Sequence, residues 1–141
     1  MARILVVEDD AALSHVLRMV LENEGHEVLA ADDGLRAMAT AQRRHPDLII
    51  CDLMMPTMDG FTFLEALRED ERTRDTSVLV LTALDKEIVE ERCYRLGVKV
   101  FLRKPFDAAI LLGMVEELLE DRDSMRMRER FGISTGAPLV E

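Results

Sequence analysis

Charged and hydroxyl side chains stand where four short apolar runs of the sequence end. Two carboxylates follow the first run, a third follows the second, a hydroxyl ends the third and an ammonium follows the fourth: Glu8, Asp9, Asp52, Thr82 and Lys104. Carboxylates brought together repel one another unless a cation binds, and an all-oxygen site of this size suits Mg2+. Mg2+ and a lysine together can hold an anion, and a carboxylate beside them can accept a phosphoryl group. These residue types therefore indicate phosphoryl transfer to a carboxylate at a magnesium site.

Asp52 is the natural nucleophile of this set. It follows the apolar residues 48–51, whose strand would fix its position, and an aspartate at such a place must be either solvated or partnered. Taken singly, the other residues have ordinary structural explanations. An acid at a helix start, such as Asp10, usually caps the helix, and Lys104 followed by Pro105 can be a simple turn. Only the occurrence of all these residues together favours a phosphoryl-transfer site.

The apolar pattern predicts five strands that alternate with five helices. The strands are predicted at 3–7, 27–30, 48–51, 77–81 and 98–102, and the helices after Asp10, after Asp33, at 61–68, at 86–96 and after Asp107. This alternation is typical of a parallel sheet with crossover helices, in which ligand sites collect at the carboxyl ends of the strands. The apolar residues assigned to the first, second and last helices are Leu13, Val16, Leu17, Val20 and Leu21; Leu35 and Met38; and Ile110, Leu111, Met114, Val115 and Leu118.

Composition narrows the class of protein. The chain of 141 residues carries a net charge of -10, which repels phosphate backbones and anionic lipid, so neither nucleic acid nor a membrane is an expected partner. No apolar run approaches the roughly 20 residues that span a bilayer, and the N-terminal run is too short for a signal peptide. Cys51 and Cys93 lack a CxxC spacing, which is typical of buried free thiols in a reducing compartment. A cytoplasmic location is predicted.

Four groups of residues, in order along the chain, resemble the receiver domain of bacterial two-component response regulators. They are ILVVEDD at 4–10, PDLIICDLMMP at 46–56 with DG at 59–60, VLTA at 80–83 and FLRKPF at 101–106. The resemblance implies an α/β, flavodoxin-like (βα)5 three-layer sandwich with sheet order 2-1-3-4-5. It covers residues 1–120 as a receiver domain and leaves 121–141 as a helix extension and a linker or tail.

The resemblance also implies the function of the site. Asp52 would be the phosphoacceptor, and its donor would be a phosphohistidine on a sensor histidine kinase or phosphotransfer protein. Mg2+ would be bound directly by Asp9 and Asp52, through water by Glu8, and by the backbone carbonyl of Met54.

Three further features are implied by the same resemblance. Thr82 would be the switch hydroxyl that moves toward the phosphoryl group, and Phe101 the aromatic residue whose rotamer follows it. Lys104 would be the family's lysine, and its peptide bond to Pro105 would be cis.

The sequence departs from the family pattern in places. Lys99, Val100 and Phe101 replace a common acidic segment with its tyrosine, and the charges that pair receivers of winged-helix regulators across the last helix and strand are not evident. Met54 and Leu84 occupy the positions nearest the path of an attacking water in the resembled fold. Neither can orient that water, which predicts a long-lived phosphorylated state.

Two alternative functions stay open at this point. A hydrolase of related fold with an aspartyl-phosphate intermediate would need an acid two residues beyond Asp52, where Met54 stands. A receiver-like interaction module that is not phosphorylated would be favoured by loss of an acid or of Lys104, and all are present. The output would be either a downstream effector protein or an effector domain beyond residue 141, and the chain carries no recognisable DNA-binding motif.

Overall fold

A computed structural model describes residues 1–54, 59–83, 86–98 and 100–131, with side chains for all of these except 86–89 and 123–131. The strands are β1 (Arg3–Val7), β2 (Glu27–Ala31), β3 (Leu48–Cys51), β4 (Ser77–Thr82) and β5 (Val100–Arg103). The helices are α1 (Ala11–Asn23), α2 (Gly34–Arg44), α3 (Gly60–Glu69), α4 (Lys86–Arg95) and α5 (Ala108–Phe131). Strands and helices alternate as predicted.

The five strands form one parallel sheet in the order β2-β1-β3-β4-β5, which confirms the predicted flavodoxin-like topology. The register aligns the strand ends. Val7 of β1 is level with Ala31 of β2 and with Cys51 of β3, while Thr82 of β4 is level with Arg103 of β5. The residues directly after these ends therefore meet at one edge of the sheet, since successive parallel strands run in the same direction.

Both faces of the sheet are covered by helices. Side chains alternate between the two faces along every strand, so the strands present apolar residues to the helices on each side. β3 lies at the centre and all four of its residues are buried, so its sequence is a continuous apolar run. One face packs against α2, α3 and Cys93 of α4, and the other packs against α1 and α5. The residues buried from the helices are Ala37, Ala41, Phe63, Leu64, Leu67 and Cys93 on the first side, and Leu17, Leu21, Leu111 and Val115 on the second.

Parts of the predicted apolar stripes are exposed. On α2 the buried residues are Gly34, Ala37 and Ala41, while Leu35 is 56% exposed. The small side chains, one turn apart, face the sheet, and Leu35 faces away from it. Val16 of α1 and Ile110 of α5 are likewise exposed. A stripe of apolar residues predicts the helix, but the neighbouring layer decides which members of the stripe are covered.

Helix ends follow local chemistry. Asp10, Asp33 and Asp59 cap α1, α2 and α3 by accepting hydrogen bonds from backbone N–H groups of the first turn. α2 ends at His45 in the left-handed region, with φ 48°, directly before a proline.

α5 continues as a helix to Phe131. The division of the chain at residue 120 stays a prediction. Within the described ranges no helix is both long enough and apolar enough to cross a membrane.

Candidate functional site

Three carboxylates meet at the carboxyl edge of the sheet. Glu8 and Asp9 follow β1 and Asp52 follows β3, and each contributes a carboxylate oxygen within 4.8 Å of the other two. The strand register explains this meeting, because the Asp52 N–H donates to the Val7 carbonyl at 3.0 Å. Glu8 is 3% exposed and Asp52 5% exposed, whereas Asp9 faces solvent. The predicted acidic residues therefore form one cluster that is open on the side of Asp9.

Lys104 reaches this cluster from the far side of β4. Its Nζ donates to Glu8 Oε1 and to Asp52 Oδ2, both at 2.8 Å. The ladder between β4 and β5 positions it, because the Lys104 N–H donates to the Thr82 carbonyl at 2.9 Å. The peptide bond from Lys104 to Pro105 is cis, as the resemblance implied. One ammonium thus bridges two buried carboxylates.

Burial and hydrogen bonds within the cluster shift the pKa values of Glu8 and Lys104. Burial raises the pKa of the Glu8 carboxyl, although the hydrogen bonds from Lys104 and from the Asp10 N–H act in the opposite direction. Burial also acts to lower the pKa of Lys104, but its hydrogen bonds to Asp52 and Glu8 outweigh that effect and the pKa is raised. Lys104 is therefore an ammonium throughout the physiological range.

Asp52 is held on both oxygens. Its Oδ1 accepts from the Met54 N–H at 3.1 Å, and its Oδ2 accepts from Lys104. The Cys51 thiol donates to the Asp52 carbonyl at 3.2 Å, and burial raises the pKa of that thiol well above its ordinary value. The thiol is neutral, so the charged groups beside Asp52 are carboxylates and the ammonium.

The donor set fits a divalent cation of the hard class. Three carboxylates against one ammonium leave two formal negative charges in a partly buried space. Oxygen ligands of this kind are those that Mg2+ takes, and a cation relieves the repulsion that burial strengthens. The side chain of Met54 is 58% exposed and carries only a thioether sulfur, so its backbone carbonyl is its sole candidate ligand for Mg2+.

The two residues predicted to act as the switch lie on the neighbouring strands β4 and β5. Thr82, at the end of β4, is 3% exposed. Phe101 pairs in register with Val80 and is half-buried against the core on the side of α3 and α4. The coupling of their movements stays a prediction. Leu84, Lys99 and residues 55–56 of the matching segment lie outside the described residues.

Asp10 belongs to a helix cap and not to the acidic cluster. Its Oδ1 accepts from the N–H groups of Ala12 and Leu13, at 3.0 and 3.2 Å. The ordinary explanation of an acid at a helix start is therefore correct for Asp10. Its backbone still serves the site, because the Asp10 N–H donates to Glu8 Oε2 at 3.1 Å.

A cavity beside Asp9 was not foreseen from the sequence. It has a volume of about 430 Å3 and lies between the first turns of α1 and the end of β2. His15, Arg18 and Arg36 line it together with Glu8 and Asp9. These residues come from the end of β1, from α1 and from α2, at unequal spacing, so no single local motif joins them.

Comparison with known proteins decides the family. The family model of the response regulator receiver domain matches residues 4–116. The chain belongs to this family. Receiver domains are the signalling switches of two-component systems, and phosphorylation and Mg2+ binding are features of the family.

The relatives of this receiver domain differ in size. The transcriptional regulator RpaA of Synechocystis is 43% identical over 123 residues, which cover 87% of this chain and 51% of RpaA. The response regulator PleD of Caulobacter vibrioides is 41% identical over 143 residues, covering 96% of this chain and 32% of PleD. The chain thus spans about half the length of the first relative and about a third of the second. Protein PilH of Pseudomonas aeruginosa, at 34% identity, is covered to 98%.

Solved receivers have the same fold. The chemotaxis protein CheY4 of Vibrio cholerae superposes with a TM-score of 0.79 at 33% identity, covering 84% of this chain and 98% of CheY4. The receiver domain of the sensor histidine kinase PA1611 of Pseudomonas aeruginosa has a TM-score of 0.78 at 29% identity and the same coverages. That structure contains a magnesium ion coordinated in its active site cleft.

Proposed function

We propose that this receiver is a phosphoacceptor switch in which Asp52 takes a phosphoryl group from a phosphohistidine. The donor would be a sensor histidine kinase or a phosphotransfer protein, acting in the bacterial cytoplasm. The observation that carries the proposal is the position of Lys104, whose ammonium lies 2.8 Å from both Asp52 and Glu8. That arrangement supports the proposal, because it holds a cation beside the carboxylate that would act as the nucleophile.

Glu8, Asp9, Asp52 and the Met54 carbonyl would hold Mg2+ in this proposal. When bound, Mg2+ neutralises charge on the oxygens of the phosphoryl group that is transferred. The cluster supplies the carboxylates for it at the mouth of the site, since Asp9 is exposed and the other two side chains are buried.

The chemical step transfers the phosphoryl group from nitrogen to oxygen. One carboxylate oxygen of Asp52 forms a bond to phosphorus while the P–N bond to the donor imidazole breaks, and the bonding electron pair stays with the imidazole. The Met54 N–H keeps the Asp52 carboxylate oriented through Oδ1. Lys104 can exchange its contact with Asp52 for one with a phosphoryl oxygen, because its three donors rotate about a flexible stem.

Switching would result from the added charge. A phosphoryl group brings nearly two negative charges and three acceptor oxygens, which the Thr82 hydroxyl can meet by moving inward. The space that Thr82 leaves would admit Phe101, which lies on the adjacent strand β5 and pairs with Val80, two residues before Thr82. The surface formed by α4, β5 and α5 would then change toward an effector protein, or toward an effector domain of a longer protein.

The proposal is tested by phosphorylation with acetyl phosphate in the presence and absence of Mg2+. The parent chain should acquire an acid-labile phosphoryl group only with Mg2+, and Asp52→Asn should abolish it. Asp33→Asn is the matched control, because Asn caps a helix nearly as well as Asp and Asp33 lies outside the cluster. Labelling of Asp52→Asn at the parental rate would overturn the proposal. No labelling of the parent would favour an interaction module, and rapid turnover of acetyl phosphate would favour a hydrolase.

A further inference from the structure

Gly60, the first residue of α3, lies directly against the backbone of the Asp52 loop. A Cβ atom at Gly60 would stand 2.5 Å from Leu53 Cα, 2.7 Å from the Asp52 carbonyl oxygen and 2.9 Å from Leu53 Cδ2. Carbon atoms do not approach backbone atoms this closely, and close packing leaves no adjoining space for the displaced chain. Any side chain at position 60 must therefore push the loop that carries Asp52.

The requirement for glycine here is steric and not conformational. Among the described glycines a positive φ is found only at Gly25 and Gly97. The backbone of Gly60 is thus open to other residues, and only its neighbours exclude a side chain. Gly113, which lies on the exposed side of α5, has no atom within 4 Å of the corresponding Cβ position and provides the contrast.

The loop held by Gly60 also carries the contacts that orient the nucleophile. The Gly60 N–H donates to the Leu53 carbonyl at 2.9 Å, and the side chain of Leu53 is buried, with 1% exposed. One residue further on, the Met54 N–H donates to Asp52 Oδ1 at 3.1 Å. A shift of the Leu53 backbone would therefore displace both the carboxylate of Asp52 and the carbonyl of Met54.

We infer that Gly60 is a positioning residue: the missing side chain fixes Asp52 and Met54 in the geometry that binds Mg2+ and accepts the phosphoryl group. This inference rests on the proposed function. It gives the first residue of α3 a role in the site, although that residue has no charged or hydroxyl side chain.

The test compares Gly60→Ala with Val115→Ala, both in a Gly113→Ala background that stabilises α5 and keeps the variants folded. Val115→Ala removes buried volume on the opposite face of the sheet and serves as the destabilised control. The readouts are the Mg2+ dissociation constant by calorimetry and, in the metal-free protein, the hydrogen-exchange rate of the Met54 amide. Gly60→Ala should weaken Mg2+ binding on the order of 10- to 100-fold, as loss of ligand support usually does, and should speed exchange at Met54. Val115→Ala should change neither.

Each other outcome is decisive. An unchanged dissociation constant and unchanged Met54 exchange in Gly60→Ala overturn the inference, and so does a variant that fails to fold in the stabilised background, because the displacement must be local. Adding Leu53→Ala should not restore binding, since the backbone contacts remain; restoration would assign the effect to side-chain crowding and contradict the inference. If the Gly113→Ala parent binds no Mg2+, the proposed function fails, while Met54 exchange still decides the role of Gly60.

Discussion

At the scale of single residues, Lys104 determines how three acids can share one edge of the sheet. A buried carboxylate without a cationic partner would take up a proton, and the raised pKa of Glu8 shows that tendency, with burial as its main cause. The ammonium opposes it from 2.8 Å. Lys104 also lies 2.8 Å from Asp52, so one ammonium offsets the cost of burying both carboxylates side by side.

Replacing Lys104 should affect phosphorylation or its consequences and leave the fold intact. A hydrogen bond to a charged group contributes about 1.5–3 kcal/mol, so Lys104→Ala should slow phosphorylation by acetyl phosphate, or weaken the response of a partner, by on the order of tenfold or more. Arg44→Ala removes an exposed cation that pairs with Glu27 and is the control. If Lys104→Ala behaves like the parent in both assays, Lys104 has no functional role in the site.

The predicted lifetime of the phosphorylated state depends on two side chains, those of Met54 and Leu84. Met54 is exposed at the mouth of the cluster and cannot hydrogen-bond a water, and Leu84 is equally apolar. An amide and a carboxylate at these positions should orient the attacking water and lower the barrier to hydrolysis by ~1 kcal/mol or more. The double variant Met54→Asn with Leu84→Glu should therefore lose phosphate about fivefold faster or more. Autodephosphorylation is followed after the donor is removed. Equal decay in parent and variant would exclude any influence of the two side chains.

Which residues form the site could be predicted, because the carboxyl edge of a parallel sheet brings together the residues next to its strand ends. How they contact one another could not. The bridging of Glu8 and Asp52 by Lys104 depends on the reach of a long side chain across β4, and the role of Gly60 depends on the approach of α3 to a loop. Both depend on distances between side chains and backbone in three dimensions, which a pattern of residue types does not give.

At the scale of elements, the amino edge of the sheet is held by a separate set of charges. Arg3 on β1 donates to Glu27 on β2 at 2.8 Å, and Arg44 at the end of α2 donates to the other oxygen of Glu27 at 2.9 Å. The hydrogen bond from Arg3 is the main cause of the lowered pKa of Glu27. One carboxylate thus joins two strands and a helix.

This carboxylate predicts a pH dependence of stability. Because the pKa of Glu27 is lower in the folded chain than its ordinary value of 4.5, its contribution is present above that value and is lost as the pH falls through the folded pKa. Glu27→Gln should lower the urea midpoint at pH 7, and the difference from the parent should shrink in acid. Glu116→Gln, on the exposed part of α5, should show no such trend. A difference that grows toward low pH would contradict the assignment.

Strand and helix positions were predictable to within a few residues, because periodicity and caps are local signals. Two details differ from the prediction. β5 begins at Val100 and not at 98, and α2 turns Leu35 outward because Ala37 and Ala41 allow close packing. The Arg68 side chain donates to the carbonyls of Leu96, Arg74 and Thr76. It thereby connects α3 to the residue after α4 and to the segment before β4, and a pattern of apolar residues does not predict such contacts.

At the scale of the whole molecule, the long helix α5 is attached to the sheet at more than one point. α5 packs Leu111 and Val115 on the sheet and then continues to Phe131. Arg122 pairs with Asp47, whose other oxygen accepts from the Arg3 N–H at 2.8 Å. α5 is thereby attached to the amino edge of the sheet, at the end opposite to the acidic cluster.

Phosphorylation should change the surface of α4, β5 and α5. The reason is the proposed inward movement of Thr82, with Phe101 moving after it, which couples the site to this side of the molecule. Beryllofluoride with Mg2+ serves as the phosphoryl mimic, and hydrogen exchange is measured along the chain. Exchange should change across these three elements and stay constant in α2. Unchanged exchange across the surface would contradict the switch.

The central claim is that the phosphoryl group resides on Asp52. The most direct measurement is treatment of the phosphorylated chain with borohydride, which reduces an acyl phosphate to an alcohol, and then mass spectrometry of its peptides. We expect the reduced residue at position 52, dependent on Mg2+ and on the donor. Reduction at Glu8 or Asp9 instead, or a phosphoryl group that resists acid and borohydride, would contradict the account.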